Sequence, residues 1–370
     1  MSANALIIAA PPAKPNLLGL SGEELASFVE SIGQRPYRAR QLMHWMHRRH
    51  VLAFEAMTDL SLDLRTELES IASIETPTLL RREQSDDGTI KWLLDVGGGQ
   101  AIETVMIPEP KRTTLCISSQ AGCALDCAFC ATGQQGFNRN LSAAEILGQV
   151  AFASAAIAPL EISNVVFMGM GEPLANYRNV VAVTRLLIDD HAYGLSRRRV
   201  TISTAGLVPQ IRRLADDCNV ALAVSLHAPT DDLRDELVPI NRRHPIAELL
   251  DACWRYADVL ASRQITFEYV MLDGVNDSVS QARTLIGLLR NRPAKVNLIP
   301  FNSFEGGRFR CSKQEMMDAF WQTLNAAGIV ATIRRPRGDD IAAACGQLAG
   351  RVDDRRRIRL SDKLSGVTSS

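Results

Sequence analysis

Between residues 21 and 72 the apolar positions recur at helical spacing. Ser21 and Glu24 form a capping box ahead of Leu25, Phe28, Val29 and Ile32, and Gly33 stops that helix. A second helix begins near Arg38 with Leu42, Trp45 and Met46, and a third follows Thr58 with Leu60, Leu62, Leu64 and Leu68. Pro77 changes the period. Leu79 to Arg82, Ile90 to Val96 and Ala101 to Ile107 read as short antiparallel strands, turned by Asp86-Asp87-Gly88 and Gly97-Gly98-Gly99. From Arg112 onward apolar strands alternate with helical patterns. Strands are expected at 112–118, 163–168, 199–203, 220–226, 265–271 and 295–300, with a weaker one at 329–334. Helices are expected at 142–157, 177–191, 207–217, 246–261, 279–291 and 313–327. That alternation predicts a parallel α/β sheet, open or curled into a barrel, with ligands at the carboxyl ends of its strands.

These changes of period divide the chain. Residues 1–16 are expected to be a disordered start, 17–75 a helical domain, 76–111 a β-hairpin extension, 112–350 the core, and 351–370 a basic tail. No apolar run approaches a membrane span, and the apolar N-terminus lacks a basic flank, so a cytoplasmic protein without a membrane partner is expected. In that reducing compartment the eight cysteines are expected to be thiols or ligands rather than structural disulfides. Net charge is zero, which gives no argument for a nucleic-acid partner. The basic residues are nevertheless clustered, at His47 to His50, Arg197 to Arg199, Arg242-Arg243, Arg334-Arg335 with Arg337, and Arg355 to Arg357. Taken singly each cluster reads as a solvated loop or helix end; several on one face would bind phosphates.

Directly after the first core strand stand Cys123, Cys127 and Cys130, spaced C-x3-C-x2-C with Phe129 before the last. Three thiolates on one loop converge on a metal site yet fall one ligand short of a closed zinc or [4Fe–4S] site. The alternative is zinc with a remote fourth ligand, and no histidine lies within ten residues of the loop. The pattern resembles the signature of the radical-SAM superfamily. The resemblance implies that the three cysteines ligate three irons of a [4Fe–4S] cluster. S-adenosylmethionine then binds the fourth iron and is cleaved to a carbon radical, chemistry that belongs to the cofactor. Met168-Gly169-Met170-Gly171-Glu172-Pro173 follows the second core strand, and the resemblance assigns Gly171 and Glu172 to the methionyl amine. Ser203, then Ser225-Leu226-His227, then Asn302 end later strands and complete an expected cofactor rim.

Longer stretches are more specific. Ser225 to Pro229, Asp231 to Asn241, Glu268 to Asn276, Val296 to Asn302, and Arg337 to Asp340 with Ala343 to Leu348 resemble the RlmN/Cfr RNA methyltransferases. So do Pro36 to Gln41 and Met57 to Ser61 in the helical domain, which the resemblance makes an RNA-binding accessory domain. The likeness runs from about residue 17 to 350 and departs at Pro336, where Thr or Ser is expected. It implies a partial (β/α)6 barrel and methylation of adenine C2 in large-subunit rRNA and in tRNA, at the adenosine 3′ of the anticodon. It also implies a relay. Cys345 takes a methyl from one S-adenosylmethionine, a second supplies the radical, Glu103 takes the ring proton, and Cys116 releases the product by forming a disulfide with Cys345. Two cofactor molecules per turnover, a flavodoxin-like electron donor and a monomer follow from the same resemblance. Spacing alone would make Cys116 and Cys345 ordinary thiols and Glu103 an exposed strand carboxylate. Cys218, Cys253 and Cys311 are expected to be plain thiols. Two alternatives stay open: a C8-methylating antibiotic-resistance enzyme, and a metal-stabilised RNA-binding protein without catalysis.

Overall fold

Side-chain caps decide where the first helices begin. Ser21 Oγ accepts the Glu24 amide at 3.2 Å while the Glu24 carboxylate accepts the Ser21 amide at 2.8 Å, opening α1 (Gly22–Ser31). Helix α2 (Tyr37–Met43) runs on into a π turn at His44–Arg48, and Ser61 caps α3 (Leu62–Ile71). In this computed structural model residues 14–259, 264–304 and 306–350 are described. Most of the expected disordered start and the whole basic tail, including Arg355 to Arg357, lie outside the described residues.

The three strands after Pro77 are β1 (Thr78–Gln84), β2 (Ile90–Asp95) and β3 (Ala101–Glu109), followed by β4 (Arg112–Cys116). Next come β5 (Gln120–Gly122), α4 (Ala131–Gln135) and β6 (Phe137–Asn140). The rest alternates: α5 (Ala143–Ile157), β7 (Asn164–Phe167), α6 (Tyr177–Ile188), β8 (Val200–Thr204), α7 (Val208–Asp217), β9 (Ala221–Ser225), α8 (Asp231–Leu237) and α9 (Ile246–Val259). It closes with β10 (Ile265–Met271), α10 (Val279–Leu289), β11 (Ala294–Pro300), α11 (Gln314–Ala326) and β12 (Val330–Ile333).

One ten-stranded sheet runs β1-β2-β3-β4-β7-β8-β9-β10-β11-β12. Its seven strands from β4 to β12 are parallel, the arrangement expected of a partial barrel, and the weaker strand after residue 329 pairs with β11 as the seventh. The expected hairpin extension is not separate. β3 pairs antiparallel with β4, so β1 to β3 continue the barrel sheet. Between β4 and β7 the chain leaves the sheet to form the two-stranded β5–β6 ribbon around the cysteine loop.

Buried residues of the helical segment and the barrel belong to one continuous apolar core, from Leu17 and Leu42 to Phe267 and Phe320. A Cβ on Gly19 would stand 2.4 Å from the amide nitrogen of Ala144, so only glycine lets the segment lie on α5. Arg48 donates to the carbonyls of Asp190 (3.0 Å) and Tyr193 (3.5 Å), and His47 is buried beside the Tyr193 ring. Two residues of the first basic cluster are thus spent on docking the helices to the barrel. Burial drives the pKa of His47 down to about 4, so it is neutral there.

Candidate active site

Every parallel strand after β4 delivers a residue to one cavity at the carboxyl edge of the sheet. Phe167 and Met168 end β7, Ser203 and Thr204 end β8, and Ser225 ends β9. Glu268 and Val270 come from β10, Ile299 from β11, and Arg334 follows β12. The cavity encloses about 930 Å³ including its mouth, and Cys123, Cys127 and Cys130 lie on its wall together with Gly171, Glu172, His227 and Cys345. This is the rim that strand–helix alternation predicts.

The cysteine loop is shaped by its backbone. Gly122 has φ +78°, and a Cβ there would sit 2.0 Å from the carbonyl oxygen of Gly136, which accepts the Cys123 amide at 2.9 Å. Asp126 at φ +55° turns the middle of the loop. All three thiols are raised above the ordinary thiol range, chiefly by burial. Without a metal they stay protonated; metal binding must expel those protons.

Glu172 is 4 % exposed. Its Oε1 accepts the Leu174 amide at 2.9 Å and its Oε2 the Ala205 amide at 2.8 Å. Burial raises its pKa to about 7 against the pull of those bonds. Gly171, at φ +97°, lets the chain pass Gln120, whose Oε1 accepts the Glu172 amide at 2.8 Å; a Cβ on Gly171 would come within 2.5 Å of the Gln120 Cβ. His227 lies in the left-handed region at φ +60°, and its Nδ1 accepts the Val270 amide at 3.0 Å. Burial lowers its pKa to about 3, so it is a neutral ring packed edge-on to Phe129.

Two expected rim residues lie elsewhere. Leu226 is fully buried in the core, whereas Ser225, the last residue of β9, and His227, turned by its left-handed backbone, line the cavity. Asn302 lies one residue beyond Phe301 and lines a smaller neighbouring cavity with Arg334, Pro336 and Cys345. Cys345 and Arg334 line both cavities. Cys116, at the end of β4, is not on the central cavity wall but lies within electrostatic reach of both Cys345 and Arg334. Burial pushes its pKa up to about 12. Glu103 also stays off the central cavity. Its Oε2 accepts the Ala349 amide at 2.8 Å, and Lys91 Nζ stands 3.4 Å from its Oε1. It is 8 % exposed rather than an open strand carboxylate.

All eight cysteines are free thiols. Cys218 and Cys253 are buried away from the cavity and Cys311 is exposed, as plain thiols should be.

Arg234 is a residue of this site that motif reading missed. It is fully buried, and its guanidinium donates to the carbonyls of Ala205 (2.7 Å), Ser225 (3.0 Å) and Leu226 (3.1 Å) and to Asn241 Oδ1 (2.9 Å). One side chain therefore fixes the ends of β8 and β9 against each other, and the Ala205 it holds is the partner of Glu172. The Asp231–Asn241 stretch that signals the resemblance contains it, but nothing in that stretch signals burial.

Known proteins carry the same combination. Residues 15–74 match the ribosomal RNA large subunit methyltransferase N-terminal domain, and residues 117–285 match the radical SAM superfamily. A crystal structure of a radical SAM methyltransferase from Sphaerobacter thermophilus is 47% identical, covers 90% of this chain and 99% of its own, and superposes with a TM-score of 0.86. The chain belongs to the RlmN-like radical-SAM methyltransferases. More distant structures are a domain of pyruvate-formate lyase-activating enzyme from Bacteroides vulgatus and SuiB from Streptococcus suis bound to S-adenosylmethionine. The first is 17% identical with TM-score 0.36, covering 47% of this chain and 99% of its own. The second is 13% identical with TM-score 0.45, covering 61% and 52%.

Radical-SAM methyltransferases use a [4Fe–4S] cluster and S-adenosylmethionine, and the residues present fit both. The loop offers three thiols, which suit iron–sulfur ligation and leave one iron for a non-protein ligand. Among the described residues no three His, Cys, Asp or Glu side chains are gathered around a single point that could hold a metal ion. Cys123, Cys127 and Cys130 would each hold a different iron, which needs no convergence on a single point. No helix among the described residues is long and apolar enough to cross a membrane.

Proposed function

We propose that this methyltransferase acts on C2 of adenosine in RNA, at one site in large-subunit (23S) rRNA and at position 37 of tRNAs, with Cys345 as a methyl relay. The observation that carries the reading is a sixth feature on the cavity wall that simple methyl transfer does not need. Beside three cluster thiols, Gly171 and Glu172 stands a fourth thiol, Cys345, on the last loop of the barrel. A nucleic-acid oxygen or nitrogen can attack a sulfonium methyl directly. An adenine ring carbon has no lone pair to do so, and a protein thiolate is the competent first acceptor.

When bound, the cluster and S-adenosylmethionine supply the one-electron cleavage that removes a hydrogen atom from an unactivated methyl group. The chain's own residues do the rest. Gly171 gives backbone access and Glu172 holds the methionyl amine, with Ser203, Ser225 and His227 along the rim. Cys345 accepts the methyl and presents its carbon to the base. Glu103 receives the ring proton. Once the ring adduct has also returned one electron to the redox couple that supplied it, Cys116 gives up its proton and attacks Cys345 at sulfur. The carbon–sulfur electron pair leaves with the product carbon, which takes a proton from water to complete the methyl group, and the resulting disulfide is a turnover state that a reductant must reset. Two S-adenosylmethionine molecules serve one turnover. The base must leave its stack to enter the cavity, at a cost of about a few kcal/mol, which favours loops over duplex. The helices of residues 17–75 and the exposed clusters at Arg197–Arg199 and Arg242–Arg243 supply RNA contacts. A monomer in the cytoplasm with a flavodoxin-like donor completes the reading.

The test is nucleoside mass spectrometry. Reconstituted protein, reductant and methyl-deuterated S-adenosylmethionine are incubated with unmodified rRNA fragment. The relay requires 2-methyladenosine carrying two deuterons. An 8-methyladenosine product would transfer the protein to the antibiotic-resistance class, and retention of all three deuterons would overturn the relay.

A further inference from the structure

The loop that carries Cys345 is held at both shoulders by residues of the antiparallel strands. Lys91 of β2 is 6 % exposed, and its Nζ donates to the carbonyls of Ile341 (2.5 Å) and Ala342 (3.3 Å). The same ammonium faces Glu83 at 3.2 Å and Glu103 at 3.4 Å. Glu83 is directly opposite Lys91 across β1–β2, and Glu103 is its diagonal neighbour across β2–β3. On the far side of Cys345, Glu103 accepts the Ala349 amide at 2.8 Å. Lys91 therefore grips residues 341 and 342, Glu103 grips 349, and the two grips are joined by an ion pair.

The gripped segment does not lie in a relaxed conformation. Ala342 has φ +49°, a left-handed backbone that a residue with a Cβ rarely adopts, and its carbonyl is one of the Lys91 acceptors. Gly338 and Gly346, at φ +62° and +85°, make the other left-handed turns. Before Cys345, Ser85 Oγ also donates to Asp340 Oδ1 at 2.6 Å and the Gly338 amide to Asp87 Oδ2 at 3.2 Å, and a further set of contacts fastens the stretch after it. The Ala131 amide donates to Gly346 O at 2.8 Å, Thr132 Oγ1 to Leu348 O at 2.6 Å, Gln135 to Ala349 O, and Gln347 to Ser303 O at 2.9 Å. Before Cys345, Lys91 is the cation that holds the strained Ala342 turn.

We propose that Lys91 is a positioning residue for this reaction: it locks the Cys345 loop closed over the cofactor cavity and, through the same ammonium, keeps Glu103 tied to that loop. The inference rests on the roles proposed above for Cys345 and Glu103. It adds an order of events. With the loop closed, the Glu103 carboxylate is occupied by Ala349 and Lys91 and lies in the cavity behind the loop, whose wall also includes Phe304 and Gln347. Cys345 meanwhile faces the cofactor side. Methyl acceptance by Cys345 belongs to the closed state. Release of Ala349 frees the carboxylate for the base, so proton removal belongs to a state in which the clamp has opened.

The test uses the full chain with its cluster reconstituted and reads the loop, not turnover. Amide hydrogen exchange over residues 338–349 and the rate of Cys345 modification by iodoacetamide are followed by peptide mass spectrometry. In Lys91→Met the clamp predicts about tenfold faster exchange confined to this segment and a several-fold faster Cys345 reaction, while the barrel strands keep their protection. Lys91→Arg, which retains a cation and donors, is expected to recover most of the closure. Should Lys91→Met fail to fold, Glu103→Gln carries the same readout: it keeps an acceptor for Ala349 but removes the anion from Lys91, and faster exchange is again expected. Exchange and alkylation unchanged from wild type in a folded variant would overturn the clamp. A loop that opens in Lys91→Met while no methyl is ever found on Cys345 of the wild-type enzyme would instead overturn the relay and leave the clamp standing.

Discussion

Replacing Arg234 by methionine removes one side chain and four hydrogen bonds at once. Bonds to a charged donor contribute about 1.5–3 kcal/mol each, so independent loss would total about 6–12 kcal/mol. Two corrections shrink that figure. The four acceptors share one guanidinium, so their contributions are not additive. Burial has also lowered the arginine pKa to about 10, a desolvation cost of about 3 kcal/mol that the methionine variant no longer bears. What remains is a net loss of about 3–5 kcal/mol, the range for breaking a buried charged network from one side. Urea unfolding of the full chain measures it. The site should suffer beyond the global loss, because Arg234 holds the Ala205 carbonyl while the Ala205 amide holds Glu172. S-adenosylmethionine binding to the folded variant, by calorimetry below the unfolding transition, should weaken by about tenfold or more, about 1.4 kcal/mol. Arg234→Lys keeps the charge without the planar fork and should recover part of the stability and less of the binding. A stability loss under about 1 kcal/mol with unchanged binding would refute the reasoning, since the strand-end carbonyls would then have other partners.

Glu172 gives a pH signature. Burial raises its folded pKa to about 7 from the usual carboxylate range, so the folded chain holds a proton that the unfolded chain releases, and this group's contribution to stability falls as pH rises from about 4.5 through 7. Pairing with an ammonium needs the ionised form, so S-adenosylmethionine affinity should rise about tenfold from about pH 6 to pH 8, and Glu172→Gln should bind more weakly and lose that slope. Gly171→Ala forces a Cβ to 2.5 Å from Gln120 at φ +97°, and a stability loss of about 2 kcal/mol or more is expected in thermal unfolding together with weaker cofactor binding. Cys345→Ala should abolish methyl transfer, whereas Cys116→Ala should accumulate a covalent protein–RNA species visible on a denaturing gel; normal turnover of Cys116→Ala without that species would remove Cys116 from the relay. Cys253→Ala, deep in the core and away from the cavity, should retain activity at a stability cost of about 1 kcal/mol.

How much of this was legible along the chain depends on how far apart the partners lie. The parallel strands and their helices were readable because each is a local run with its own period. The expected strand at 265–271 and helix at 279–291 correspond to Ile265–Met271 and Val279–Leu289. The β5–β6 ribbon was not readable: three and four residues are too few to show alternation, and its pairing is set by Gly122 closing on Gly136 around the cysteines. The same division runs through the site. Cys123, Cys127, Cys130, Gly171 and Glu172 sit in short motifs whose spacing is itself the chemistry. Leu226 was expected on the rim because the motif names three consecutive residues, whereas only Ser225 and His227 of the three line the cavity once the chain turns at His227. Lys91 and Arg234 show the converse. Arg234 stands in a polar stretch and Lys91 alone among the apolar residues of a strand, and for either a solvated side chain is the reasonable expectation. Their acceptors lie far along the chain or at the ends of other strands, and only the folded sheet brings them together. A motif can therefore name the atoms that react, but the residues that hold those atoms in place are specified by the topology, and it is at those residues that substitution should separate binding from chemistry.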